Sequence, residues 1–276
     1  MNIGTNIMSN DKELAYRYDL FVTPDWKDRF DLLVNENVEM PLEGRILDVN
    51  CGTGAHAIEL AERMRDKGEV IALDPSAERI ELARAKAQAK KTTNVTFEQG
   101  SASNMSFESH EFDAVIGDAS LLRASEIEDV VGEMVRVAAP DSRVVLKLTT
   151  HGSFDEFFSI YWEAMHDAGL DGEVWTALEG LISERLTVSG AEQMAGRAGL
   201  RNVESFVSKE EFSYETAEDF FESPLIKDYF LFDWLEIVPE ASREDLQRRI
   251  ASIIERERHN ASFEVSIKAT AITGTK

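Results

Sequence analysis

The chain has 276 residues, enough to bury a substantial core as one large domain or as a domain with a sizeable appended unit. Its 52 Asp and Glu against 29 Lys and Arg give a formal net charge of −23. So acidic a surface repels phosphate backbones and anionic membranes, which argues against nucleic acid or a lipid surface as partner. The single cysteine, Cys51, excludes an internal disulfide and suits a reducing compartment, and the five scattered histidines show no metal-ligand spacing.

In chain order, residues 1 to about 10 are expected to lack order, and Glu13 to Asn37 reads as two helices separated near Pro24. This region has no basic segment followed by an apolar run, and no stretch of 18 apolar residues occurs anywhere, so the expectation is a soluble cytoplasmic protein. The apolar run Ile46-Leu47-Asp48-Val49 predicts a strand that carries an acid and enters the turn Asn50-Cys51-Gly52-Thr53-Gly54. Glycines in such a turn let the backbone pass close to a ligand, where a Cβ would clash. A helix follows from about Ala55 to Lys67, with Ile58, Ala61 and Met64 on one face and Gly68 as its stop. The next apolar run, Val70 to Leu73, ends in Asp74. That acid stands about 20 residues beyond the last glycine of the turn, a spacing that suits a carboxylate holding ribose hydroxyls.

A third strand, Val95 to Gln99, leads to Gly100-Ser101-Ala102, and a fourth, Phe112 to Ile116, leads to Gly117-Asp118. A helix and turn through Pro140 precede a fifth strand, Val144 to Leu148. Ser125-x-x-Glu128, Ser153-x-x-Glu156 and Ser189-x-x-Glu192 read as capping boxes, with Gly169 and Gly199 closing the second and third of those helices. Strands and helices thus alternate through a sixth strand near Val203 to Ser208, the mark of a parallel sheet covered on both faces. The next segment is dense in aromatics, with Phe212, Tyr214, Phe220, Phe221, Tyr229, Phe230, Phe232 and Trp234, and then carries an amphipathic helix with Leu246, Ile250, Ile253 and Ile254. It is expected to form a helical lid whose rings either line a pocket or pack the lid in place. In the last strand, Phe263, Val265, Ile267 and Ala269 alternate with polar residues, as in an antiparallel strand.

The run Asp48-Val49-Asn50-Cys51-Gly52-Thr53-Gly54 resembles the first motif, acid-x-Gly-x-Gly-x-Gly, of the class I S-adenosylmethionine-dependent methyltransferases with a type 11/25-like domain. Asn50 stands in place of the first glycine, and Asn tolerates left-handed backbone better than other residues with a Cβ. Over roughly residues 40 to 150 the later motifs resemble the same family in order: Phe112-Asp113-Ala114-Val115 before Asp118, then Glu133 through Leu148. Gly100-Ser101-Ala102 stands where the family usually has Gly-Asp-Ala.

The resemblance implies an α/β, Rossmann-like fold with a seven-stranded, mostly parallel sheet, an antiparallel last strand and a helical lid. The implied division is an N-terminal helical segment at 1–40, a cofactor-binding domain at 41–210, a lid insertion at 211–260 and the last strand at 261–276. It further implies S-adenosyl-L-methionine as cofactor, contacted by Tyr18, Asp48, Asn50, Cys51, Gly52, Gly54, Asp74, Pro75, Ser101, Ala102 and Asp118, with a small molecule as methyl acceptor and no metal. Tyr16 and Tyr18 resemble a Tyr-containing segment that closes over the cofactor in this family. Asp118 and His151 are the candidates for taking a proton from the acceptor, and each is equally suited to orienting the cofactor or capping a helix. Cys51, with no His-containing constellation pointing to it, reads as a packing or backbone residue. A Gly-x-Gly-x-x-Ala reading through Ala57 leaves NAD as a competing ligand. A protein acceptor, or a cofactor-binding protein without turnover, are the alternative functions.

Overall fold

The computed structural model describes residues 4–170, 172–257 and 261–276, with backbone alone for residues 4–10 and Glu173. In chain order the first elements are α1 (Gly4–Arg17), a π-helical stretch (Tyr18–Lys27), α2 (Asp28–Asn37), β1 (Gly44–Val49), α3 (Ala55–Met64), β2 (Gly68–Asp74), α4 (Ala77–Lys90) and β3 (Val95–Gln99). Then come β4 (Phe112–Asp118), α5 (Ala124–Val137), β5 (Ala138–Thr150), α6 (Asp155–Asp167), α7 (Glu173–Ser183), α8 (Val188–Arg197) and β6 (Arg201–Tyr214). The chain ends with α9 (Ala217–Glu222), α10 (Pro224–Tyr229), α11 (Leu231–Glu236), α12 (Glu240–Glu257) and β7 (Phe263–Thr275). The seven strands form one sheet in the order β3-β2-β1-β4-β5-β7-β6.

Two compact units make up the chain. The first comprises residues up to Leu148 with Val188–Val207 and Ala269–Lys276, and the second Thr149–Thr187 with Ser208–Lys268.

In the first unit β1 pairs in parallel with both β2 and β4, Asp48 lying opposite Ala72 on one side and Ile116 on the other. Strands so enclosed read as nearly continuous apolar runs, and Ile46, Leu47, Val49, Val70, Ala114 and Val115 are fully buried. The chain moves outward from β1 through β2 to β3, then returns to place β4 beside β1. That reversal leaves a crevice at the carboxyl ends of β1 and β4, where sheets of this kind receive ligands. The end of the chain runs opposite to β5: the Asp141 N–H donates to the Lys276 carbonyl and the Lys276 N–H to the Ser142 carbonyl. The alternating pattern from Phe263 to Ala269 therefore does mark the antiparallel strand.

Several local expectations shift. Residues 4–10, expected to lack order, are helical in α1, and the first three residues lie outside those described. Near Pro24 the chain does not break but widens into π winding, and the Asp28 N–H donates to the Thr23 carbonyl five residues back. A proline lacks the N–H that an α-turn requires, and the wider turn relieves that conflict without leaving the helix. Val22, Trp26, Phe30 and Val34 are fully buried on this helical run, which makes it part of the first unit's core. The helix expected to close at Gly68 ends at Met64, with Arg65 at φ 58°, and Gly68 opens β2. A Cβ at Gly68 would sit 2.4 Å from the Gly44 carbonyl oxygen, so this glycine serves close packing rather than a helix stop.

The three expected capping boxes are also displaced. α5 begins after Arg123, whose N–H is bonded by Glu126. Ser189 lies inside α8. Ser153 bonds the Thr150 carbonyl and accepts the Lys268 N–H, while Glu156 holds Ser266. In each case a serine that fits the local pattern is claimed by another partner or stands as the second residue of the helix. Gly169 and Gly199 do take left-handed φ, 66° and 109°, just past α6 and α8.

The second unit is built on the aromatic segment and α6. Trp234 stacks on Phe157 with ring centroids 4.4 Å apart, and Phe154 meets Trp234 and Phe230 edge-on at 5.2 and 5.1 Å. The Tyr161 hydroxyl donates to the Trp234 carbonyl at 2.6 Å. α12 turns Leu246, Ile250, Ile253 and Ile254 inward, as its periodicity predicts. Phe220, Phe221 and Trp234 are buried, so these rings are the core of their own unit; Phe232, 65% exposed, is the exception.

Gly54 initiates α3 at φ 77°, and a Cβ there would lie 2.5 Å from Phe97 Cε1 and 2.8 Å from Ala83 Cβ. Gly54→Ala is expected to lose about 2–4 kcal/mol, from left-handed strain together with overpacking. A urea titration compared with the parent chain measures it.

Candidate functional site

The crevice of the first unit gathers most of the residues singled out in the sequence. At the end of β1, Asn50 takes φ 57°, a conformation in which Asn replaces glycine at small cost, and its side-chain amide donates to the Asp118 carbonyl at 2.9 Å. Gly52 follows at φ 60°. A Cβ on Gly52 would come within 2.7 Å of the Tyr18 hydroxyl oxygen, so the buried ring of Tyr18 lies directly on the turn. The Arg79 guanidinium covers that ring at 4.1 Å. Asp74, at the end of β2, accepts the Gly52 N–H at 2.9 Å and the Ser76 N–H at 3.0 Å, one on each carboxylate oxygen. The acid at the end of the second strand thus also fixes the shape of the glycine turn. Cys51 is buried beneath, and burial followed by the nearby charges of Asp48 and Asp74 pushes its thiol well up, which makes it an inert packing residue.

Beneath the turn lies a cluster of buried charge that the sequence reading named only in part. Asp118, at the end of β4, has Lys27 Nζ at 3.1 Å and Lys147 Nζ at 3.7 Å. Its other oxygen accepts both the N–H and the hydroxyl of Ser120, whose oxygen in turn accepts the Trp26 indole N–H at 2.9 Å. Lys27 also donates to the Asn50 carbonyl at 2.7 Å, and Lys147 to Asp31 at 2.5 Å. Burial works against every one of these charges, yet the opposite charges prevail. Asp118 is held well below the usual carboxylate range by Lys27 and Lys147, Asp31 is lowered by Lys147 and His56, and both lysines are raised by the aspartates. Asp48 is the exception, since burial raises its pKa beyond what His56 and the lysines offset.

Besides Asp118 Oδ2, which faces Lys27, four polar atoms of this cluster, Asp48 Oδ2, Thr23 Oγ1 and both ring nitrogens of His56, are buried and without a hydrogen-bond partner. They line a cavity of about 10 Å³ together with Lys27, Asp31 and Lys147, room for about one water molecule. Lys27, Asp31, His56 and Lys147 were not anticipated as site residues. The signal available was Lys147 itself, a charge inside the apolar run Val144-Val145-Leu146-Lys147-Leu148.

The other expected residues sit differently. Ser101 is exposed and faces Ser103 at 3.1 Å, Ala102 is buried, and Pro75 is exposed with its carbonyl bonded by Gln99. Tyr16 is 46% exposed. His151 belongs to the second unit, where its ring is exposed and its backbone N–H donates to the Leu186 carbonyl. Among the described residues no group of three or more His, Cys, Asp or Glu is placed to hold a metal ion, and no helix is long and apolar enough to cross a membrane.

A left-handed turn between a parallel strand and a helix, an acid at the end of the next strand and another beside the reversal point define a nucleoside-binding α/β site. Residues 43–170 match the family model described as "Methyltransferase domain". The chain is 35% identical over 121 residues to a demethylmenaquinone methyltransferase of Lactococcus lactis, covering 43% of this chain and 48% of that one. It is 31% identical over 134 residues to the enzyme of the same name from Anoxybacillus flavithermus, covering 49% and 56%. The chain thus spans about half the length of the curated relatives it matches. Among solved structures, the YcgJ protein of Bacillus subtilis superposes with a TM-score of 0.56 at 20% identity, over 90% of this chain and 98% of that one. A phosphoethanolamine N-methyltransferase from Haemonchus contortus, solved with S-adenosyl-L-methionine, gives 0.52 at 16% identity over 91% and 52%, a likeness of fold alone. Residues 43–170 are thus similar to methyltransferase domains, and the chain shares the fold of these class I S-adenosylmethionine-dependent methyltransferases.

The residues present fit that family's cofactor. Its amino-acid end carries one ammonium and one carboxylate, and the cluster under the turn, with Asp48 and Asp31 beside Lys27 and Lys147, holds groups of both signs. Asp74 has about two acceptor positions left for ribose hydroxyls after the two backbone bonds it accepts.

Asp118→Asn leaves two buried ammonium groups with one carboxylate fewer and is expected to destabilise the chain by about 3–5 kcal/mol. The folded pKa of Asp118 and of Asp31 lies below the unfolded value of 3.8. Their stabilisation is therefore present above about pH 4 and lost as the pH falls toward the folded values. Asp48, with its pKa raised, contributes in the opposite sense, its share being lost as the pH rises through its folded pKa. Thermal midpoints recorded from pH 7 down to pH 3 are expected to fall less steeply in Asp118→Asn than in the parent.

Proposed function

We propose that this chain transfers the methyl group of S-adenosyl-L-methionine to a small-molecule acceptor by in-line displacement. The observation that carries the reading is the left-handed turn of Asn50, Gly52 and Gly54 at the sheet's reversal point, with the Asp74 carboxylate at the end of β2 beside it. Support comes also from the demethylmenaquinone methyltransferases, named for a small-molecule acceptor. The net charge of −23 disfavours RNA as the alternative acceptor.

Bound there, the cofactor supplies a methyl group activated by its positive sulfur. What the chain contributes is position and exclusion of water. Asn50, Gly52 and Gly54 bring backbone close to the ligand, Asp74 holds the ribose, and Asp48 with its neighbours orients the amino-acid end. Tyr18, Trp26 and Lys27, all buried, close that edge of the first unit against solvent. Asp118 is unsuited to take a proton, because two ammonium groups and Ser120 hold it as a weakly basic carboxylate. Of the two residues considered for that task, His151 lies in the second unit with its ring exposed.

Calorimetry is expected to show S-adenosylmethionine and S-adenosylhomocysteine binding and NAD failing to bind; binding of NAD alone would overturn the reading. Asp74→Ala removes charged hydrogen bonds to the ribose and is expected to weaken the cofactor by about 1.5–3 kcal/mol, roughly one to two decades. An unchanged affinity would take Asp74 out of the site.

A further inference from the structure

Among the described residues of the second unit is a cation, Arg185, that its surroundings do not explain. Arg185 lies in the link between α7 and α8, half-buried, with its guanidinium 5.5 Å from the ring centroids of both Phe154 and Phe158. Those two rings are 0% and 2% exposed, so the charge rests on a rigid apolar floor. Guanidinium carries five N–H donors in a planar fork, and among the described residues no acceptor oxygen bonds any of them and no carboxylate lies within salt-bridge distance. Burial lowers the pKa of Arg185 to about 10, with Glu184 and Asp155 acting on it only through space. The group stays charged at neutral pH.

The site is built around this residue. The carbonyl of its neighbour Leu186 accepts the His151 N–H at 2.9 Å, which ties the link to the segment following β5. Phe154 takes φ 64° ahead of α6, a left-handed conformation that is costly for a bulky residue and that clusters at ligand clamps. In a chain with 23 more negative than positive charges, a cation stacked on two phenyl rings and left without an anion marks a place for one. Cation–π contact offsets only part of the cost of moving a guanidinium partly out of water.

We infer that Arg185, on the floor formed by Phe154 and Phe158, binds an anionic oxygen group, a carboxylate or a phosphate, attached to an apolar or aromatic body. The anion docks on the planar fork while the body lies along the rings, the arrangement in which arginine outperforms lysine. The binding of this anion goes beyond the proposed methyl transfer and does not rest on it.

The test follows the full chain in the absence of cofactor. Benzoate, phenyl phosphate and the neutral benzyl alcohol are titrated against the parent, Arg185→Met and Arg185→Lys, read by thermal midpoint and by the Arg185 Nε–H resonance of the parent. The parent is expected to be stabilised by one or both anions and not by the alcohol, the comparison of the two anions separating carboxylate from phosphate. Arg185→Met is expected to lose that response and to be at least as stable as the parent, and Arg185→Lys to bind about ten-fold more weakly. No response to either anion in the parent, or a response retained in Arg185→Met, would overturn the inference. A less stable Arg185→Met whose parent shows no anion shift of the Nε–H resonance would assign Arg185 to bracing the rings instead. Methyl transfer measured separately tests the enzymatic reading, so failure of one is distinguishable from failure of the other.

Discussion

The first unit depends on a charge balance that burial would otherwise forbid. Asp118 and Asp31 stand among Lys27 and Lys147 at distances from 2.5 to 3.7 Å, with almost no water to screen them. Each charge on its own would cost several kcal/mol, and together they hold one another ionised. The consequence is geometric as much as energetic. Lys27 belongs to the π-helical stretch, Asp31 to α2, Asp118 to β4 and Lys147 to β5, so one cluster joins the N-terminal helices to the central strands of the sheet. Because Lys27 also bonds the Asn50 carbonyl, the same charges set the position of the ligand turn.

That arrangement changes the reading of the N-terminal helices. As a separate segment they would be a cover able to come and go. With Trp26, Phe30 and Val34 fully buried and Lys27 ionically tied, they are core. Within the π-helical stretch from Tyr18 to Lys27, Tyr18 rests on Gly52 while Trp26, eight residues further on, reaches Ser120 two residues past Asp118. The aromatic segment near the end of the chain undergoes a parallel change. Its rings bury one another around Trp234 and supply a second hydrophobic centre, and the polar feature left over within that centre is the guanidinium of Arg185.

Much of the site was legible because its local rules are strict. A strand ending beside an acid, a turn needing left-handed residues and a second strand ending in an acid can be read from Asp48, Gly52, Gly54 and Asp74 alone, since backbone sterics leave few other uses for that pattern. Asn50 fits the same argument, and its φ of 57° is the conformation that makes the missing glycine tolerable. The capping boxes failed for the converse reason. Ser153 satisfies the local pattern, but its hydroxyl is taken by Thr150 and the Lys268 N–H, a partner 115 residues away that no window of sequence contains.

The sequence by itself determined the elements of the sheet, the antiparallel character of the last strand and the residues of the glycine turn, because each follows from periodicity or from the steric limits of a few adjacent residues. Only the tertiary structure decided which charges meet. Lys27, Asp31, His56, Asp118 and Lys147 come from five separate elements, and whether a lysine in an apolar strand is an oddity or half of a buried pair depends on what stands opposite it across the fold. Coulomb attraction in a poorly screened interior acts over a few ångströms of space, a distance that carries no mark in the order of the chain.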